Sequence, residues 1–156
     1  MMRVRTMAEE DLQAVEAISE ASPEAAQWGL SAYRMLLAEP ARGRVLVGEQ
    51  ERSVVGFLCF RMLGTEAEVL NLAVLPLFRR RGVGSQMLEQ AMREVSASGA
   101  TRLFLEVRKS NVPAIRLYER HGFAAVGMRP GYYKDPPDDA VVLARGLRAA
   151  SGIERN

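Results

Sequence analysis

One stretch restricts this chain more than any other. Over Asn71–Ser85 (N-L-A-V-L-P-L-F-R-R-R-G-V-G-S) a strand breaks into a basic, glycine-bearing turn and restarts as a helix. Val69 to Leu75 is an apolar run of strand type, and Pro76 ends it because proline has no N–H for a ladder. Arg79, Arg80 and Arg81 follow, then Gly82, Val83, Gly84 and Ser85. From there Val83, Met87, Leu88, Ala91, Met92 and Val95 recur with helical period. A helix N-terminus presents unpaired N–H groups and the positive end of a dipole, so it collects anions. Without Cβ atoms, positions 82 and 84 let the backbone approach a bulky ligand and adopt φ values that other residues avoid. The stretch predicts a diphosphate cradle. Its spacing is not that of a P-loop, and it lacks the third glycine and the ribose-binding acid of a dinucleotide site. It fits R-x-x-G-x-G, with Arg79, Gly82 and Gly84 in the fixed places.

The rest of the composition narrows the class. A length of 156 residues suits one domain with a sizeable core, and 48% hydrophobic with 26% charged residues is ordinary for a globular protein. No apolar run reaches the length of a membrane span, and Met1-Met2-Arg3-Val4-Arg5 lacks the apolar centre of a signal peptide. A single cysteine, Cys59, permits no internal disulfide and builds no metal cluster. A net charge of +2 does not indicate a broad nucleic-acid surface. These features point to a cytoplasmic protein without a metal, working on neither nucleic acid nor membrane. The expected domain is 1–148, with a flexible tail over 149–156.

Hydrophobic periodicity orders the elements. Met2–Thr6 reads as an edge strand. Thr6-Met7-Ala8-Glu9 has the form of a capping box, and Leu12, Val15 and Ile18 line one side of the helix after it. Ser22-Pro23-Glu24 opens a second helical region, with Trp28, Tyr33, Leu36 and Leu37 on its apolar side and Pro40 closing it. From Arg44 the period changes to two. Strands through Val45 and Val47, over Val54–Met62 and over Glu68–Leu75 form an antiparallel meander. The helix Gly84–Ser96 leads to a strand carrying Leu103, Leu105 and Val107, and this βαβ crossover makes the flanking strands parallel. Ser110-Asn111-Val112-Pro113 starts a last helix, with Ala114, Ile115, Leu117 and Tyr118 on its apolar side, and Gly122 stops it. Phe123–Met128 and Ala140–Leu147 read as a hairpin around a loop, Arg129–Asp139. The order is β-α-α-β-β-β-α-β-α-β-β.

That order, and the R-x-x-G-x-G loop after L-A-V-x-P, resemble the GNAT N-acetyltransferases and their acetyl-coenzyme A loop. Leu103–Phe123 is the most specific match: L-x-L-E-V-R-x-S-N-x-x-A-I-x-L-Y-E-x-x-G-F. With Gly131-Tyr132-Tyr133 and Gln27-Trp28, the chain looks like the RimI branch, which acetylates the N-terminal alanine of a small-subunit ribosomal protein. The resemblance implies an α/β (α+β) fold with a mixed sheet of six to seven strands, flanking helices and a splayed parallel pair that forms the acetyl-CoA cleft. It places Leu72, Ala73, Val74, Arg79–Arg81, Gly82, Val83, Gly84, Ser85 and Asn111 at the cosubstrate. It makes Glu106 the base and Tyr118 the acid, in direct transfer within a ternary complex. Trp28, Tyr132 and Tyr133 would meet the acceptor. Arg79 stands where many members have glutamine, and either side chain can donate to phosphate.

The chemistry matches those residue types. An α-amine is mostly protonated at neutral pH, so a carboxylate base helps, directly or through water. Glu106 sits among apolar strand neighbours, where burial would raise its pKa; it could instead pair with Arg102 or Arg108 on an exposed face. Tyr118 could protonate the departing thiolate, or be a core tyrosine satisfied by a carbonyl. A backbone N–H between Leu72 and Val74 could hold the oxyanion if a bulge frees it. Cys59 reads as core, Asn111 as a cap that could also touch cosubstrate, and Trp28, Tyr132 and Tyr133 as packing or acceptor contacts. The alternative acceptors are a small amine, an antibiotic or a lysine. A coenzyme A-binding module without activity is the reading of another class, which Glu106 and Tyr118 oppose. Monomer and homodimer both stay open, the latter through the exposed edge of the last hairpin.

Overall fold

The computed structural model describes residues 2–23 and 30–147; Trp28 and the tail assigned to 149–156 lie outside them. The chain lays down β1 (Met2–Thr6), a 3-10 turn (Glu9–Asp11), α1 (Leu12–Glu20), α2 (Leu30–Ala38), β2 (Gly43–Gln50), β3 (Ser53–Leu63) and β4 (Glu66–Val74). A second 3-10 turn (Pro76–Phe78) leads to α3 (Val83–Ala97), β5 (Arg102–Arg108), α4 (Val112–Arg120), β6 (Ala124–Lys134) and β7 (Pro137–Gly146). All seven strands join one sheet in the order β1-β2-β3-β4-β5-β7-β6, mixed as expected. Only the β4–β5 pair is parallel among them; the meander and the final hairpin are antiparallel.

Helices cover both faces. Val83, Met87, Leu88, Ala91 and Val95 of α3, spaced at three and four, bury against Leu46, Leu58, Leu103 and Leu105. Each valine, leucine or methionine among them removed from water stabilises the fold by roughly 1.5–3 kcal/mol. Leu12, Val15 and Ile18 of α1 and Tyr33 of α2 pack on the other face against Val45, Val47, Phe57, Cys59 and Ala73. Cys59 is a buried core residue.

The first helix starts differently from the sequence expectation. Thr6 stays in the β1–β2 ladder opposite Leu46, and the Met7 N–H continues it to the Val45 carbonyl at 2.8 Å. The first helical turn begins past it, with Ala8 as N-cap, so Thr6 does not cap. Instead the Asp11 carboxylate reaches back to accept the Ala8 N–H at 2.8 Å, while Arg5 donates to both its oxygens at 2.7 and 3.1 Å.

The last hairpin is longer than expected. Its turn lies at Asp135-Pro136, and most of the segment read as a loop, 129–139, is strand. Pro130, Gly131, Pro136 and Pro137 give that segment a turn-like composition. Strand pairing with β7 overrides it, and the irregularity is absorbed between Arg129↔Ala140 and Tyr133↔Asp138. β6 ends up at the sheet edge, β7 having inserted between it and β5.

A bulge in β4 matters most for the site. Cys59 faces Asn71 while Phe60 faces Val69, so Leu70 is an extra residue. Ala67 and Val69 belong to the α3/α4 side; past the bulge Leu72 and Val74 take that side, and Ala73 turns to α1/α2.

Candidate active site

β4 and β5 part company along their length. They pair from Glu66↔Arg102 to Val69↔Leu105 and no further. Beyond that point β4 stays bound to β3, with the Leu75 N–H donating to the Val55 carbonyl at 2.8 Å. Backbone groups alternate along an antiparallel strand, so the N–H groups of Val74 and Leu72 point the opposite way, toward the gap. The bulge at Leu70 does not itself free these groups, as the sequence reading supposed. The ending of the parallel ladder does.

Helix α3 begins at the mouth of this gap. Gly82 is its N-cap, with φ +84, a left-handed conformation that glycine takes at little cost. Arg80 and Arg81 are exposed beside it without a carboxylate partner among the described residues, Arg81 lying over the Phe78 ring at 5.3 Å. Arg79 is used differently: its Nε donates to the Val74 carbonyl at 2.9 Å, and Nη2 lies 3.4 Å from Ser22 Oγ. It fastens the loop to the end of β4. Ser85 Oγ is hydrogen-bonded to His121 Nε2 at 3.0 Å, joining α3 to the end of α4. Gly84 admits α4 itself, since a Cβ there would lie 3.2 Å from Leu117 Cδ2. The cradle therefore has backbone N–H groups and two exposed arginines without a carboxylate partner among the described residues, which fits a diphosphate. Across the gap Asn111 caps α4, its Oδ1 accepting the Ala114 N–H at 3.3 Å.

Glu106 and Tyr118 approach the gap from opposite faces. Leu103, Leu105 and Val107 of β5 point to α3 and α4, so Glu106 faces the α1/α2 side. Its side chain is 18% exposed, and its surroundings are polar rather than apolar: Arg129 Nε lies 2.9 Å from Glu106 Oε2. The expected alternative partners are engaged elsewhere, Arg102 with Glu66 at 3.3 Å and Arg108 with the Pro136 carbonyl at 2.8 Å. Tyr132, which the structure puts in strand β6 rather than a loop, turns to the same carboxylate. Its phenol is held above the ordinary tyrosine value, first by its interaction with Glu106.

Tyr118 is 5% exposed, edge-on to Phe123 with ring centroids 5.6 Å apart. Burial pushes its phenol up, with Tyr133 contributing. Its hydroxyl has no hydrogen-bond partner among the described residues, so the carbonyl expected of a core tyrosine is not there. A buried hydroxyl left open in this way is rare and suits one kept for a ligand. Tyr133 links the two faces: it acts electrostatically on Tyr118 and feels Glu106 in turn. The hairpin that carries it is tied down over β5. Lys109 N–H donates to the Asp139 carbonyl at 2.9 Å, Ser110 Oγ to Asp138 at 2.6 Å, and Arg108 lies 4.2 Å from the Tyr133 ring centre.

Sequence reasoning missed Arg129. It fell in the segment read as loop, and the signal that marks it is its place three residues before Tyr132. The described residues contain no cluster of three or more His, Cys, Asp or Glu side chains placed to hold a metal, and no helix among them is long and apolar enough to cross a membrane.

Comparison with known proteins gives a consistent set of relatives. A family model described as "Acetyltransferase (GNAT) family" matches residues 6–123. A Bacillus subtilis (strain 168) protein, provisionally described as a ribosomal protein bS18-alanine N-acetyltransferase, is 32% identical over 90% of this chain and 92% of its own length. The ribosomal protein bS18-alanine N-acetyltransferase of Escherichia coli (strain K12) is 37% identical over 61% of this chain and 66% of its own. The crystal structure of the Escherichia coli ribosomal-protein-S18-alanine N-acetyltransferase superimposes with a TM-score of 0.83 at 29% identity, covering 100% of this chain and 99% of that one.

Proposed function

Because this chain belongs to the GNAT acetyltransferase family, with acetyl-CoA as cosubstrate, we propose that its acceptor is the N-terminal α-amine of a protein, led by alanine. The similarity to bS18-alanine N-acetyltransferases supports a small-subunit ribosomal protein as that acceptor. The observation that carries the reading is the two-sided gap: a carboxylate on one face of the parted strands and, on the other, a buried phenol with no hydrogen-bond partner among the described residues.

The chemistry follows from that placement. The amine enters on the Glu106 face and the thioester lies on the α3/α4 face, its diphosphate at Arg80, Arg81 and the α3 N-terminus. The nitrogen attacks the acetyl carbon, and Glu106 takes the amine proton directly or through one water. The oxyanion meets a backbone N–H of Leu72 or Val74, where a water-excluded donor is worth most. The C–S bond then breaks and the thiolate takes its proton from Tyr118. Tyr132, turned to Glu106, and Tyr133, which acts toward both faces, would border the peptide.

The same chemistry favours an α-amine over a lysine. A lysine ammonium is less acidic by roughly 2.5 pKa units, about 3.4 kcal/mol against the carboxylate. The test is a panel of peptides differing only in the first residue, with internal lysines present. Alanine-led peptides should be acetylated fastest, at the α-amine. Equal rates at lysine side chains, or at small amines, would sink the reading.

A further inference from the structure

We infer that Arg129 is a positioning residue that sets the Glu106 carboxylate for proton transfer, an assignment that rests on Glu106 acting as the base. Arg129 Nε is 2.9 Å from Glu106 Oε2, and the partners differ in burial: the carboxylate side chain is 18% exposed, the guanidinium 58%. An exposed ion pair is ordinarily worth little, because two long side chains must be held in one geometry. Here the backbone and a ring hold them.

The holding device is the irregular stretch of β6. Residues three apart on a regular strand point to opposite faces. Between Arg129↔Ala140 and Tyr133↔Asp138, however, Pro130, Gly131 and Tyr132 oppose the single residue Asp139. Gly131 sits at φ +62, and its N–H donates to Asp139 Oδ1 at 2.8 Å, which fixes the excursion. As a result Arg129 and Tyr132 both turn to Glu106, with the guanidinium 5.3 Å from the Tyr132 ring centre. Stacking of this kind orients a planar guanidinium as well as attracting it.

The consequence for the reaction is geometric. A glutamate side chain has three rotatable bonds, and a base must lie within hydrogen-bond reach of the proton it takes. Arg129 engages Oε2, and a carboxylate has about four lone-pair sites, so acceptor capacity remains for the amine. Arginine also suits the role because it stays charged throughout and never competes for the transferred proton.

A double-mutant cycle tests this on the full chain with an alanine-led peptide. Arg129→Gln should lower kcat roughly 10- to 100-fold, the cost of a mis-set reacting group, and leave KM for acetyl-CoA unchanged. Arg129→Lys should restore part of the rate. In a Glu106→Gln background, Arg129→Gln should cause no further loss, since Arg129 acts only through that carboxylate. Losses that multiply in the double variant, or full activity in Arg129→Gln, would overturn the inference while leaving Glu106 as the base. Full activity in Glu106→Gln alone would overturn the base assignment instead. Thermal melts of all four proteins separate either result from a folding defect.

Discussion

Replacing Tyr118 by phenylalanine removes one oxygen and nothing else, and the structure makes an unusual forecast for it. Most buried tyrosines lose a hydrogen bond on this change and are destabilised by about 1 kcal/mol. Tyr118 has none to lose among the described residues, while its ring packing on Phe123 is kept. A buried hydroxyl without a partner costs roughly 1–3 kcal/mol, so the variant should be at least as stable as the parent and up to about 1 kcal/mol more so. For a chain of this size, that is a rise of about 2–4 °C in Tm. Alkaline pH offers a further handle. Burial raises the Tyr118 phenol above its ordinary value, so the unfolded chain ionises first. The stability this group contributes is present below about pH 10 and is lost as the pH climbs through the folded value; Tyr118→Phe should lack that loss. Catalysis should move the other way. Without the acid, the chemical step slows by roughly 10²-fold or more, about 2.7 kcal/mol of barrier. Single-turnover kinetics with acetyl-CoA and with a donor of better leaving group should show rescue by the second. A fall in Tm together with equal slowing on both donors would mean that Tyr118 is only a core tyrosine.

Two more outcomes are expected. Arg80→Glu/Arg81→Glu exchanges two exposed cations that have no carboxylate partner among the described residues, so the fold should hold while acetyl-CoA affinity by calorimetry drops at least about tenfold; unchanged affinity would place the diphosphate elsewhere. Arg5 holds the Asp11 carboxyl below the usual carboxylate range, so its stabilisation is present above about pH 4 and lost as pH falls. Asp11→Asn should therefore cost about 1.5–3 kcal/mol in urea unfolding at pH 7, a difference that shrinks in acid; a constant gap would contradict the pairing.

What the chain declares openly is whatever depends on neighbours in sequence. The three-and-four spacing of α3, the alternation of Leu103, Leu105 and Val107, and the proline–asparagine start of α4 all appear where periodicity puts them. The parallel pairing of β4 and β5 follows from the intervening helix. What stays hidden depends on distant partners. Nothing near Arg79 in sequence says that its guanidinium will be spent on the Val74 carbonyl, and nothing near Glu106 points to Arg129, 23 positions on. Thr6 has the right spacing for a cap, but β2 claims its backbone first. The segment 129–139 has the composition of a turn, and β7 makes it a strand.

Leu70 sets the phase of everything after it in β4. The strand keeps count in twos, and this one uncounted residue exchanges the odd and even positions. It adds to the numbering without adding to the ladder. Swapping Leu70 for another apolar residue would be absorbed locally, and deleting it would leave a regular ladder in which Val69, Leu72 and Val74 still face α3 while Asn71 and Ala73 still face α1. Chains built on this plan can therefore vary in the length of β4 at this one point and keep the same faces. A codon lost between Asn71 and Val74, with the bulge kept, would instead rewrite which side of the sheet the chemistry faces.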